Sequence, residues 1–238
     1  MEAIENTEAP SFLSRLAGIV VDPLPTLASF RAHPAWLGVL LLTALIQAGA
    51  GVLLGPIQGK EVAEHMATSK WLEKLPGEKR DEMLEQMRHP TPARQAIGAV
   101  GGVVGLGVMC ALIAGVLWLG QRVAGGDGSY KCVLSTTAHA AFVAVGLGML
   151  VIVPLALSRG SVFEVSLSPA AFIDAPITSA SYRLLSLLGV FPLWGTALAG
   201  LGLGLVSRVS KGVGLAISFA TYAVFGAIGF VLSGLAMG

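Results

Sequence analysis

Charge is scarce in this chain. Only 12% of its 238 residues are Asp, Glu, Lys or Arg, against roughly a quarter in a soluble domain. The 15 basic and 14 acidic residues leave a net charge of +1. Without a basic excess there is no electrostatic footprint for nucleic acid, and no argument for an acidic partner. Cysteine is scarcer still. Cys110 and Cys132 fall in or beside apolar segments and have no CxxC spacing. That counts against a disulfide framework and against a zinc site. The opening MEAIENTEAP lacks a basic n-region before an apolar run, so no cleavable signal peptide is expected. Nucleophile–base pairs, metal clusters and cofactor motifs are missing as well. No catalytic, cofactor or metal-ligating residue is assigned, and the chain is not read as an enzyme.

Apolar residues and glycine are abundant instead, at 54% hydrophobic with 31 glycines. Glycine is frequent in transmembrane helices, where it lets backbones approach closely. Five apolar runs reach the roughly 20 residues that a bilayer crossing takes. They cover about 35–54, 96–119, 136–157, 185–206 and 213–236, and none contains a charged residue. They do not alternate as barrel strands would. The expected fold class is therefore an all-α integral membrane protein. Its core is a bundle of five transmembrane helices, with an interfacial N-terminal helix and an extramembrane helical hairpin.

Residues 1–34 form the N-terminal interfacial segment, and residues 35–238 the five-span membrane domain. In SFLSRLAGIVVDPLPTLASFRAHP, Phe12, Leu16, Ile19 and Val20 recur at helical spacing. Asp22-Pro23 stops that helix and starts a second short one. The pair is expected to lie in the membrane interface. The hairpin occupies residues 56–95. Its charged part, 60–94, carries seven of the basic and seven of the acidic residues and breaks at Leu75-Pro76-Gly77. Narrow apolar stripes run along both arms. Trp71, Leu72, Met83 and Met87 are the candidate partner-docking residues. The plainer reading is a solvated cap on the membrane domain.

The stretch GGDGSYKCVLSTTAHAAF, residues 125–142, invites a phosphate-loop reading. A phosphate loop needs GxxxxGK[ST] after a strand. Here Gly125, Gly126, Asp127 and Gly128 read as a turn, with Tyr130 and Lys131 as headgroup anchors. His139 is a different matter, because an ionisable residue in a span is a functional hypothesis by default. Gln47, Ser135, Thr136 and His139 form the candidate intramembrane polar site, with Gln47 as a candidate partner of His139. Gly98/Gly102, Gly101/Gly105 and Gly200/Gly204 repeat at four-residue spacing. They are expected to pack helices together.

Three stretches together resemble the Yip domain family, named for Ypt-interacting proteins, in its bacterial form. They are RLAGIVVDPLPTLASFRAHPAWLGVLLL, the GGDGSYKCVLSTTAHAAF turn and LGVFPLWGTALAGLGLGLVSRVSKGVGLAI. Their order and spacing carry the match. The resemblance implies five spans, a cytoplasmic N-terminus and a C-terminus on the far side. Charge counting alone does not decide this, with six basic residues on one side and nine on the other. Eukaryotic members bind small GTPases. This chain lacks the long N-terminal extension and the acidic-aromatic motifs of that role, so GTPase binding is not expected. Some bacterial members accompany ABC exporters of the MacB type. The implied function is a non-catalytic accessory or scaffold in the bacterial inner membrane, in contact with the lipid bilayer and partnered with another membrane protein. The alternative is a small transporter or lipid-handling protein with a polar path near His139 and Gln47.

Overall fold

A computed structural model describes residues 9–67, 72 and 75–237 of the chain. Helix α1 spans Phe12–Val21 and α2 spans Pro23–Ser29. The Ser11 hydroxyl accepts from the Ser14 amide and so fills one of the orphan donors at the start of α1. Pro23 opens α2, where a missing N–H is harmless. The two helices meet at Asp22, whose amide still bonds back to the Gly18 carbonyl.

The first long helix, α3, runs from Leu37 to Ala67. It does not stop near residue 54, as the apolar run suggested. It continues through Pro56. Its 31 residues amount to roughly 46 Å at 1.5 Å per residue. That exceeds the ~30 Å hydrocarbon core, so α3 is both the first span and the first arm of the hairpin. The second arm, α4 (Gly77–Arg88), folds back against it. Helix α5 (Pro92–Val123) follows, with the Thr91 hydroxyl capping the Arg94 amide.

The third span begins earlier than its apolar run, because Ser129 caps the Cys132 amide. It comprises α6 (Tyr130–Ala141), a π-helical stretch at Phe142–Leu147 and α7 (Gly148–Arg159). The π stretch widens the helix where α9 (Val190–Ser207) crosses it. The fourth apolar run, expected from residue 185, is two helices. A short α8 (Ala180–Ser186) is separated from α9 by Gly189, which is extended at φ −62° and ψ 142°. The last helix, α10, covers Lys211–Met237. No strand occurs among the described residues.

Five of these helical stretches are long and apolar enough to cross a membrane. The chain is an all-α integral membrane protein. Helix α9 is its centre: 56% of its apolar window is buried, against 17% for α5 and 11% for α10. The outer helices therefore turn most of their apolar surface outward. Helices α1 and α2 pack at one end of the bundle, beside the α5–α6 and α9–α10 turns. We refer to that as the N-terminal end. The hairpin lies at the other.

Candidate functional site

One cluster of polar residues meets at the N-terminal end. Arg31 follows α2 and reaches the turn between α5 and α6. Its guanidinium grips Asp127 with two hydrogen bonds, at 3.0 and 2.9 Å. It also donates to the Val206 carbonyl at the end of α9. This is the fork geometry that favours arginine over lysine. Arg208 approaches the same carboxylate at 3.6 Å, and the Asp127 amide donates to the Ser207 carbonyl. One aspartate thus ties α2, the α5–α6 turn and the α9–α10 turn together. The hydrogen bond from Arg31 holds the Asp127 carboxyl below its ordinary range, and the same bond raises Arg31.

The glycines of this turn now have a physical reason. Gly125 sits at φ +81°, a left-handed conformation. A Cβ at Gly128 would collide with Ser207, and one at Gly126 with Gln121. Gln121 is fully buried and donates to the Gly128 carbonyl at 3.1 Å. The phosphate-loop reading fails on geometry, because the backbone is closed against α9 and the acidic residue is held by arginine. The anchor reading of Tyr130 also changes. Its hydroxyl donates to the Ala111 carbonyl of α5 at 3.0 Å.

One turn deeper lies the cluster predicted from the sequence. Ser135, Thr136 and His139 are all buried. The Ser135 hydroxyl donates to the Lys131 carbonyl at 2.8 Å. His139 Nδ1 donates to the Ser135 carbonyl, also at 2.8 Å, which places the proton on that nitrogen. The ring partner of His139 is Phe30, with centroids 4.3 Å apart. That corrects the expected pairing with Gln47. Phe30, Leu27 and Ile19 are fully buried, so α1 and α2 turn one face into the bundle end. The opposite face leaves Leu13 73% and Val21 82% exposed. Arg15 is buried on the inner side, and loss of solvent lowers its pKa. Arg15 Nε, Thr136 Oγ1, Gln121 Oε1 and Ser207 Oγ have no hydrogen-bond partner among the described residues.

Gln47 belongs elsewhere. It lines a cavity of about 540 Å³ between α3 and α5 that reaches α4. His139 is not among the lining residues. The two polar groups therefore form no common path.

The docking residues divide. Leu72 is fully buried and offers no surface. Met83 and Met87 are half-buried on α4, and Met87 lines the cavity. Trp71 lies outside the described residues. The glycines divide too. A Cβ on Gly200 would lie 2.7 Å from Leu215 Cα, and one on Gly204 3.1 Å from Lys211 Cα, so both hold α9 against α10. At Gly98, Gly101 and Gly105 a Cβ would meet nothing within 4 Å, and at Gly102 only the Gln47 amide at 3.5 Å. Among the described residues no helix closes tightly on that stripe, and Gly98 and Gly102 line the cavity facing α3. The correction has a simple cause: spacing puts glycines on one face but does not say what covers it.

Sequence reasoning missed Arg31, Gln121 and Ser207. Arg31 and Asp127 lie 96 residues apart. The single carboxylate of the 121–131 connection, Asp127 in its glycine turn, was the available signal. Among the described residues no group of three or more His, Cys, Asp or Glu could hold a metal ion. Both cysteines are free and buried.

Neither a curated protein nor a solved structure matches the chain. A family model does, described as the Yip1 domain, over residues 17–233. That match takes in α2, the Asp127 turn, the His139 cluster and all five candidate spans. The chain therefore belongs to the Yip1 domain family of membrane proteins.

Proposed function

We propose that this chain is a non-catalytic membrane accessory or scaffold protein that associates with another membrane complex. The observation carrying this reading is the outer face of α5. Gly101 and Gly105 are exposed, and nothing lies within 4 Å of a Cβ placed on either. Val104 and Val108, on the same helix, are 58% and 54% exposed. Small residues at this spacing let a second helix approach closely, and no described helix of this chain uses them. The family resemblance makes an ABC exporter the complex to look for. The transport alternative loses support, since Gln47 and His139 do not share a path.

The test is a purification in mild detergent with mass spectrometry of stable partners. Joint Gly101→Leu and Gly105→Leu substitution fills open space, so the melting temperature should hold. The co-purifying membrane protein should be lost. A double variant that keeps its partner would remove α5 as the interface and end this reading.

We place the N-terminus in the cytoplasm of a bacterium and the hairpin outside. The family resemblance carries this orientation, since nine basic residues lie on the hairpin side against six at the N-terminal end, and the positive-inside rule does not decide between them. In protein with both native cysteines replaced, a cysteine at Ser69 should react with an impermeant reagent in intact cells. One at Ser210 should react only after permeabilisation. Labelling of Ser210 alone in intact cells would invert the arrangement.

A further inference from the structure

We propose that the cavity between α3 and α5, bordered at one end by α4, binds an anionic phospholipid of the surrounding membrane. Its volume, about 540 Å³, falls in the ~300–1,000 Å³ range of ligand sites. Along α3 the lining runs from Gln47 to Val62, which is roughly 22 Å at 1.5 Å per residue. That is the shape of a slot for a chain, not of a compact metabolite. Its walls are thin because glycines line them: Gly51 and Gly55 on α3, Gly98 and Gly102 on α5. A Cβ at Gly51, Gly55 or Gly98 would still meet nothing within 4 Å. The protein's own atoms do not close this gap. In a bilayer the available filler is hydrocarbon.

The two ends of the slot are not alike. Gln47 marks the deep end, and its Oε1 has no partner among the described residues, a group one accompanying water satisfies. The shallow end carries Gln58, Gln86, Gln95 and Arg94. Among the described residues Arg94 is the single ionisable side chain lining the cavity. It bonds the neutral Gln86 Oε1 at 2.9 Å and makes no ion pair within the described residues. A guanidinium has five donors in a fork that matches phosphate oxygens. Arg94 also stands in the first turn of α5, where the helix dipole favours an anion. An acyl chain along the glycine walls with its phosphate at Arg94 satisfies both ends. This site is separate from the exposed Gly101–Gly105 face, so it stands or falls independently of the accessory reading.

Native mass spectrometry of the full-length protein in neutral detergent tests it, with phosphatidylglycerol and phosphatidylcholine added in equal amounts. One charge-assisted contact corresponds to about a tenfold preference for phosphatidylglycerol. Arg94→Gln, an exposed position, should bring that ratio close to one and leave the melting temperature unchanged. Gly98→Leu projects into the slot and should reduce retention of both lipids, again without a change in melting. Equal retention by the wild-type protein would overturn the proposal. So would a preference that survives Arg94→Gln, or lipid retention that survives Gly98→Leu. Oleate that binds in place of phosphatidylglycerol at equal concentration would overturn the phospholipid as the occupant.

Discussion

Replacing Phe30 with alanine is expected to destabilise the detergent-solubilised protein by about 3–5 kcal/mol, the usual cost of removing a buried aromatic ring. Phe30 is fully buried. It is the largest side chain by which α2 enters the bundle, and its ring covers His139 at 4.3 Å. Leu27, one turn earlier on α2, occupies the neighbouring site, where a Cβ on Gly202 would lie 2.9 Å from its Cδ2. Loss of the Phe30 ring leaves a void that Leu27 cannot fill, because α9 already confines it. It also strips the apolar cover from a buried imidazole. Two measurements check this. The melting temperature should fall. Cys132 should become reactive to a thiol reagent, because its thiol now donates to the Arg31 carbonyl at 3.6 Å, just beyond Phe30. Cys110, buried in the middle of α5, should stay protected. Unchanged melting together with an unreactive Cys132 would show that α2 does not seat in the bundle.

The span count was legible because one physical rule produces it. A helix that crosses hydrocarbon has to be apolar over roughly 20 residues, and uncharged runs of that length stand out. The ends of the spans were not legible by the same rule. Ser129 starts α6 inside polar sequence, where capping and not hydropathy decides. The first span was expected to end near residue 54, just ahead of Pro56. A proline removes one backbone bond and adds strain, yet α3 continues through it. Packing of α4 and the Glu61 carboxylate, which accepts from the Ser161 hydroxyl and the Val162 amide, holds the extension in place. At Gly189 the reverse happened. An uninterrupted apolar run conceals a break, because glycine and the nearby Pro192 permit an extended residue that hydropathy does not register.

The site was legible in part. Ser135, Thr136 and His139 were identified because polar groups in a span need a partner. Their partners were not. His139 meets Phe30, a residue distant in sequence and apolar. The Arg31–Asp127 pair illustrates the same limit. Both residues sit in plainly polar connections, where a charge needs no explanation. Only the three-dimensional meeting of α2 with two turns shows that Asp127 has a structural task. The stretch read from the sequence as a glycine turn is also the clamp that fixes the N-terminal helices.

Gly200→Leu is expected to have an effect at least as large as Phe30→Ala, and by the opposite mechanism. Overpacking costs about 1–3 kcal/mol where side chains can yield. Here the obstacle is main chain. A Cβ on Gly200 would lie 2.7 Å from Leu215 Cα and 3.0 Å from the Gly214 carbonyl oxygen. The constraint is reciprocal, since a Cβ on Gly214 would lie 2.8 Å from the Gly204 amide nitrogen. To admit leucine, α10 has to move away from α9 along the whole crossing. That movement also disturbs the Ser218 hydroxyl, which donates to the Thr196 carbonyl across the same interface at 2.8 Å. The control is Gly105→Leu, a glycine with open space around its Cβ position. Melting in detergent should fall sharply for Gly200→Leu and stay near the wild-type value for Gly105→Leu. Substituting Gly200 with alanine should already cost part of the effect, because the clash begins at Cβ. If Gly200→Leu melts like the wild type, the two backbones do not approach this closely, and the four-residue glycine spacing of α9 carries no structural weight.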